Sequence, residues 1–152
     1  MKSGTYFVYH GKEYMDSTKS VPKWYKILLS GNKDDLNDGF YCTESENFMK
    51  KFGFVCEKKV PKSEITEAYE IRTYALYRNI EFNIYGSKDN QIRIVRYCSS
   101  GRDDELAKKL QTWQFSVFDA DKFHVSYDSY ISVDDPELEI VEKRTELDIS
   151  KL

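Results

Sequence analysis

The side chains that could perform acid–base or nucleophilic chemistry are few and scattered. The chain contains two histidines, His10 and His124, and three cysteines. Nucleophilic catalysis needs a thiol or hydroxyl beside a base, and the one trio to consider is Cys98 with His124 and Asp128. No local signature surrounds Cys98, so a free thiol and a surface imidazole are the simpler interpretation. We therefore expect no catalytic residue and a protein that is not an enzyme.

Sequence motifs that bind metals or cofactors are also missing from the chain. Zinc sites need clustered cysteine and histidine ligands, whereas Cys42, Cys56 and Cys98 lie far apart in the sequence. The acidic residues at positions 34, 35 and 38 resemble a calcium loop but do not have EF-hand spacing. The glycines are isolated near turns and form no phosphate-binding loop. The sequence predicts neither a metal nor a cofactor.

One acidic and aromatic stretch has the composition of a binding surface. Residues 119–142 carry eight acidic residues and one basic residue, interleaved with tyrosine and phenylalanine. Tyrosine supplies contact area in interfaces, and carboxylates steer a basic partner. A solvated acidic face is the alternative interpretation. The candidate partner-binding residues are Asp119, Asp121, Asp128, Tyr130, Asp134, Asp135 and Glu137.

The elements that must position these residues are predicted to be the strands of a hairpin. Bulky residues over 115–118 and 123–133 flank a polar turn at 119–122. Val125, Tyr127 and Ile131 alternate with Asp128 and Tyr130, which is a period of two. Such alternation places one face of a strand in the core and the other towards solvent or a partner.

The charge distribution narrows the class of partner. Residues 1–101 carry 16 Lys and Arg against 13 Asp and Glu, a net +3, whereas residues 102–152 carry 7 against 13, a net −6. A general nucleic-acid binder needs a basic face for phosphates. The acidic second half argues against that class and favours a basic protein partner.

Internal repetition predicts the architecture. Thr5-Tyr6 returns as Thr73-Tyr74. Ser30-Gly31 returns as Ser100-Gly101, and both of these Ser-Gly pairs are followed by acidic residues and a leucine. Repetition of this kind indicates two related structural units. We predict an α+β fold that is mostly antiparallel β, with a first β-rich unit at 1–72 and a second, acidic unit at 73–152. Each is expected to be a small SH3-like barrel with one short helix, the two packed as one compact body.

Helix signals occur once in each half. Thr43 and Glu46 have capping-box spacing before an apolar run that ends at Gly53. Ser100, with Asp103 three residues later, is predicted to cap a second helix, in which the residues at 106, 110 and 113 form an apolar stripe of core type. Residues 63–72 fit either a strand or a helix, and residues 138–147 fit a strand.

Length and cysteine content suggest the cellular compartment. A chain of 152 residues can bury a core without disulfides or metals. The odd number of cysteines, without C-x-x-C spacing, is typical of free thiols in a reducing compartment. No apolar leader or long apolar run is present in the sequence. We therefore expect a cytoplasmic protein.

The opening segment and the general character of the chain resemble a known class of proteins. The segment from Gly4 to Tyr14 reads GTYFVYHGKEY, and the chain is small, acidic and rich in aromatic residues. In these respects it is similar to the immunity proteins of bacterial polymorphic-toxin systems. The resemblance implies a protein that binds one cognate toxin domain and covers its active site. A toxin nuclease with a basic cleft would suit the acidic stretch.

A second hypothesis belongs to a different class. The repeated aromatic hairpins could form grooves in a tandem small-barrel module, which would hold a peptide or a nucleic acid by stacking on the rings. The mildly basic residues 1–101 are compatible with this hypothesis. Most of the tyrosines, however, alternate as core or half-buried residues do.

Overall fold

The computed structural model describes residues 2–152, which divide into two units. Unit A comprises Lys2–Arg72 together with Lys143–Leu152, and unit B comprises Thr73–Glu142. Residues 143–152, which were predicted to lie in the second unit, group with the first in the structure. The reason is that Leu147, Ile149 and Leu152 pack against the unit A core.

Unit A is built around five antiparallel strands in the order β4-β3-β2-β1-β5. The chain also forms a 3-10 helix over Lys33–Asp38 and the short helix α1, Glu46–Phe52, between β3 and β4. Of the ambiguous residues 63–72, the first two lie in a 3-10 helix, Lys62–Glu64, and the rest lie in the strand Ile65–Tyr77. The strands are β1 (Gly4–Tyr9), β2 (Lys12–Asp16), β3 (Tyr25–Ser30), β4 (Cys56–Pro61) and β5 (Ile65–Tyr77).

Unit B continues from the second part of β5 in the order β5-β6-β7-β9-β8, and β10 also pairs with β5. The helix α2, Asp104–Thr112, follows β7. The sheet is mostly antiparallel and does not close into a barrel. The remaining strands are β6 (Ile80–Lys88), β7 (Gln91–Ser99), β8 (Ser116–Ala120), β9 (His124–Ser132) and β10 (Leu138–Glu146).

The strand order of unit A recurs in unit B. The order β4-β3-β2-β1-β5 corresponds to β9-β7-β6-β5-β10, and β8 is an additional strand at the edge. The helices do not correspond in the same way. The repeated acidic segment at Asp34 lies at the start of the 3-10 helix, whereas its counterpart at Asp103 lies at the start of α2. In chain order, β8 comes directly before β9 in unit B, as α1 comes directly before β4 in unit A. Each unit contains one short α-helix, α1 or α2, but the two helices stand at different points of the strand order.

Both predicted helix caps are displaced along the sequence. The N-cap of α1 is Ser45, whose hydroxyl accepts the Phe48 N–H at 3.1 Å, and Thr43 does not cap it. The N-cap of α2 is Asp103, and Ser100 lies outside the helix. The Asp103 carboxylate accepts the Ser99 N–H at 2.8 Å, and this bond lowers its pKa.

The core of unit B confirms the apolar stripe of α2. Leu110 is fully buried, and Leu106 and Trp113 pack against the same cluster. The Phe115 ring stacks on Phe82, with their centroids 5.4 Å apart. The other buried members are Ala75, Tyr77, Ile92, Ile94, Cys98, Tyr127 and Ile131.

The stability of unit B should depend strongly on Leu110. Truncation of a fully buried leucine costs about 2–5 kcal/mol, because apolar contacts are lost and a cavity remains. We expect Leu110→Ala to lower the free energy of unfolding by that amount in urea denaturation. Leu36→Ala is the matched control, since Leu36 is 43% exposed, and it should cost below about 1 kcal/mol. Equal costs for the two variants would contradict the assigned core.

Candidate partner-binding surface

Strand β9 lies inside the sheet of unit B, because it pairs with β7 on one edge and β8 on the other. Its register with β7 sets Tyr130 opposite Arg93, Asp128 opposite Val95 and Ser126 opposite Tyr97. Directly paired residues share a face of the sheet. These side chains therefore lie on the face opposite the core, which receives Tyr127 and Ile131 from β9.

This outer face carries four exposed aromatic side chains. We call these four side chains, together with Arg93 and Asp128, the aromatic face. They are Tyr85 on β6, Tyr97 on β7, Phe118 on β8 and Tyr130 on β9, and they are 49%, 45%, 41% and 52% exposed. Large aromatic groups exposed together on one surface mark an interaction site more often than isolated ones do. The predicted alternation of β9 is confirmed, and the surface extends across three further strands.

Arg93 occupies the centre of the aromatic face. Its Nε donates to Asp128 Oδ2 at 2.7 Å, and the Asp128 side chain is only 14% exposed. The guanidinium carbon lies 4.8 Å from the Phe118 ring centroid and 5.9 Å from that of Tyr85. The hydrogen bond to Asp128 raises the pKa of Arg93. The ion pair thus neutralises both charges and holds a planar cation between aromatic rings.

A bulge in β8 brings Asp119 to this face, where regular alternation already places Phe118. The register between β8 and β9 shifts between Val117 and Asp119, so that Asp119 pairs with Ser126. A bulge sets two residues of one strand against one residue of its partner and re-aims a side chain. Asp119 therefore lies in the same row as Tyr97, with Ser126 between them, since Ser126 also pairs with Tyr97.

Two tyrosines on neighbouring strands are joined through their hydroxyls. The Tyr85 and Tyr97 hydroxyls form a hydrogen bond, and the ring centroids lie 6.4 Å apart in an edge-on arrangement. This hydrogen bond is the largest cause of the raised pKa of Tyr97, followed by partial burial. The pair holds both rings in fixed positions on an otherwise exposed surface.

The structure divides the predicted partner-binding residues into two groups. Asp119, Asp128 and Tyr130 lie together on the outer face of the sheet. Asp121 lies in the β8–β9 turn, where its carboxylate accepts the backbone N–H groups of Phe123 at 2.7 Å and His124 at 2.8 Å. These bonds lower the pKa of Asp121 and indicate a role in the turn.

The other three predicted residues lie in the loop between β9 and β10. Asp134 accepts a hydrogen bond from the Asn90 side chain at 2.9 Å, and Asp135 accepts the Glu137 N–H at 2.8 Å. Glu137 forms an ion pair with Arg78, with 2.5 Å between Oε2 and Nε. Each carboxylate thus has a local structural partner. The role of these residues in binding a partner stays a prediction.

The one trio considered for nucleophilic chemistry is not assembled. Cys98 is 3% exposed and belongs to the core cluster, and burial raises its pKa. Asp128 faces the opposite side of the sheet and pairs with Arg93. His124 is exposed beside Asp121, with 3.4 Å between Nδ1 and Oδ1.

Within residues 2–152, no group of three or more His, Cys, Asp or Glu side chains is placed to hold a metal ion. None of the helices in this described range is long and apolar enough to span a bilayer.

Sequence reasoning missed four members of the aromatic face: Tyr85, Arg93, Tyr97 and Phe118. A signal was present in β7, where Arg93 and Tyr97 alternate with buried Ile92, Ile94 and Cys98. The pairing of β7 with β9 has no sequence signal of its own, because α2 and β8 separate the two strands. The bulge in β8 that sets Asp119 opposite Ser126 has no sequence signal either.

The fold and the site together define a mostly antiparallel β protein with few short helices and an exposed aromatic sheet face. The chain belongs to the family described as "Uncharacterised conserved protein UCP033725", whose model matches residues 1–150. No curated protein and no solved structure matches the chain.

The hydrogen bond between Tyr85 and Tyr97 can be tested by titration. Tyr85→Phe removes the hydroxyl that raises the pKa of Tyr97, so this pKa should fall towards the ordinary value of 10.0. The measurement is an NMR titration of tyrosine labelled at the ring carbon that carries the hydroxyl. Tyr130→Phe is the control and should leave the Tyr97 pKa in place. An unchanged Tyr97 pKa in Tyr85→Phe would refute the pairing.

The structural role of Asp121 predicts a pH dependence. Its folded-state pKa is lowered, so its stabilisation is present above the ordinary carboxyl pKa and is lost as the pH falls through the folded-state value. Asp121→Ala should lower the Tm at pH 7, and the difference from wild type should shrink below about pH 4. Asp119→Ala, on exposed β8, should leave the Tm unchanged at both pH values. A constant difference across pH would contradict this role.

Proposed function

We propose that the chain is a non-enzymatic protein-binding protein that acts as an immunity protein, and that the aromatic face of unit B is its contact surface. The observation that carries the proposal is the grouping of four exposed aromatic side chains around the Arg93–Asp128 ion pair. Tyrosine and arginine are the residue types that dominate binding energy in protein interfaces. Rings held by hydrogen bonds and ion pairs lose little side-chain entropy on binding.

The charge of unit B supports a basic partner. Residues 73–142 contain eight Lys and Arg against thirteen Asp and Glu, a net charge of −5. The charges of Arg93 and Asp128 cancel at the centre of the aromatic face. Asp119 lies at the edge of this face, in the same row as Tyr97. A neutral, aromatic centre on a unit of net negative charge suits a basic cleft, because the aromatic groups exclude water and the acidic groups steer the approach.

The resemblance to immunity proteins identifies the kind of partner in this proposal. The partner is a toxin domain with a basic active-site cleft, encoded beside the gene for this chain and neutralised in the bacterial cytoplasm. Unit B covers the cleft and keeps substrate out. The experiment requires that toxin domain as the probe, co-produced and purified with the chain.

The aromatic face should dominate the affinity for the toxin domain. We expect Tyr97→Ala and Tyr130→Ala each to weaken binding at least about tenfold in calorimetry, since interface tyrosines are frequent hot spots. Both side chains are about half exposed, so the fold should be retained, which circular dichroism checks. Trp24→Ala is the control: Trp24 is 72% exposed in unit A and should leave the affinity unchanged.

Two results would count against the proposal in different ways. Unchanged affinity in both tyrosine variants would remove the aromatic face as the contact surface. Absence of any complex with the neighbouring toxin domain would remove the immunity function itself. Growth of cells that produce the toxin domain gives an independent readout, because the wild-type chain should restore growth and the tyrosine variants should restore it less.

A tandem small-barrel module is the second candidate function. The order of five strands that units A and B share supports two related β units, although the sheet does not close into a barrel. Such a module would hold a peptide or a nucleic acid against its aromatic grooves. Exposed rings on a sheet can stack nucleic-acid bases, although the charge of unit B opposes the phosphates.

The nucleic-acid version of this candidate has a direct test. Single-stranded oligonucleotides of mixed sequence should be titrated into the protein at low salt, with fluorescence anisotropy as the readout. Under the immunity proposal we expect no binding. Saturable binding that weakens as salt increases, and that Tyr97→Ala abolishes, would instead favour the small-barrel module.

A further inference from the structure

The segment that precedes α1 is held against the edge of β4 in unit A. Tyr41 donates its N–H to the Glu57 carbonyl at 2.9 Å, and Glu57 donates its N–H to the Tyr41 carbonyl at 2.8 Å. Residues that exchange both bonds are a hydrogen-bonded antiparallel pair. The next pair is then a non-hydrogen-bonded pair with its Cα atoms about 4.5 Å apart. Continuing this register places Cys42 opposite Cys56.

Neighbouring contacts support this register. One step in the other direction, Phe40 falls opposite Lys58, and the Lys58 Nζ lies 6.0 Å from the Phe40 ring centroid. Phe40 and Cys56 belong to the same core cluster. Since side chains alternate along a strand, Cys42 leaves its segment on the same side as Phe40. The two thiols therefore lie on one side of the paired segments.

The two cysteines differ in access to solvent. Cys42 is exposed, whereas Cys56 is 1% exposed. Burial raises the pKa of the Cys56 thiol, and the nearby Cys42 adds to the rise. Cys56 Sγ donates only weak hydrogen bonds, to the carbonyls of Ser30 at 3.5 Å and Asn32 at 3.9 Å. Rotation of the Cys56 side chain towards Cys42 would therefore break only these two weak hydrogen bonds.

We propose that Cys42 and Cys56 form a reversible intramolecular disulfide when the protein meets a peroxide. Disulfides join residues whose Cα atoms are about 4.4–6.8 Å apart, and a non-hydrogen-bonded antiparallel pair lies within that range. The bond ties residues just before α1 to β4. Because Ser45 caps α1 three residues beyond Cys42, the bond fixes the start of that helix.

The reaction uses the peroxide as its oxidant. The exposed Cys42 thiolate attacks one peroxide oxygen, the O–O bond breaks, and Cys42 becomes a sulfenic acid while hydroxide leaves and is protonated to water. The Cys56 sulfur then attacks the Cys42 sulfur, the S–O bond breaks, and the second hydroxide takes up the Cys56 proton as water. Two thiols are oxidised by two electrons, and one peroxide is reduced to two waters. A dithiol reductant reverses the bond by exchange.

The test is a count of free thiols before and after oxidation of the full chain. Protein treated with hydrogen peroxide is unfolded in N-ethylmaleimide and weighed by intact mass spectrometry, and the disulfide is located by peptide mapping. The wild type has three cysteines and should fall from three labels to one, with Cys42 linked to Cys56. Dithiothreitol should restore all three labels.

Two variants keep the result interpretable. Cys98→Ser should still form the bond and retain no label, because Cys98 belongs to the core of unit B. Cys42→Ser changes an exposed residue, so it should fold and keep both of its labels after peroxide. A disulfide that includes Cys98, dimers cross-linked through Cys42, or oxidation of Cys42 without loss of the Cys56 thiol would overturn the proposal.

Discussion

The register between β7 and β9 is the constraint on which the rest of unit B depends. Nine consecutive residue pairs join the two strands, from Gln91 with Ser132 to Ser99 with His124. A slip of one residue would move every side chain of one strand to the other face. The same slip would bury Asp128 or Tyr130 and expose Tyr127. The core and the aromatic face are therefore two consequences of a single pairing.

The sequence predicted the elements of that pairing better than the pairing itself. The alternation of Tyr127 and Ile131 with Asp128 and Tyr130 established β9 and its buried face, because a period of two is a local property. The apolar stripe of α2 was predicted for the same reason. The extent of the surface was not predictable, since Arg93 and Tyr97 reach Asp128 and Ser126 only through a contact between strands distant in sequence.

Charge composition was a less exact guide than strand alternation. It pointed to the stretch from Asp119 to Glu142, but composition does not distinguish a carboxylate that faces a partner from one that stabilises a turn. Asp121 and Asp135 both accept backbone N–H groups nearby, as aspartate does in many turns. Sequence repetition likewise indicated two related units, whereas the assignment of residues 143–152 to unit A depends on tertiary packing of Leu147 and Leu152.

The central claim is that the outer face of unit B contacts the partner. Hydrogen–deuterium exchange of the chain, alone and in complex with the toxin domain, measures this most directly, because it requires no substitution. We predict slower exchange at the edge strand β8 and in the strand ends and turns bordering the aromatic face, with unit A unchanged. Protection confined to unit A, or to the loop containing Asp134 and Glu137, would contradict the account.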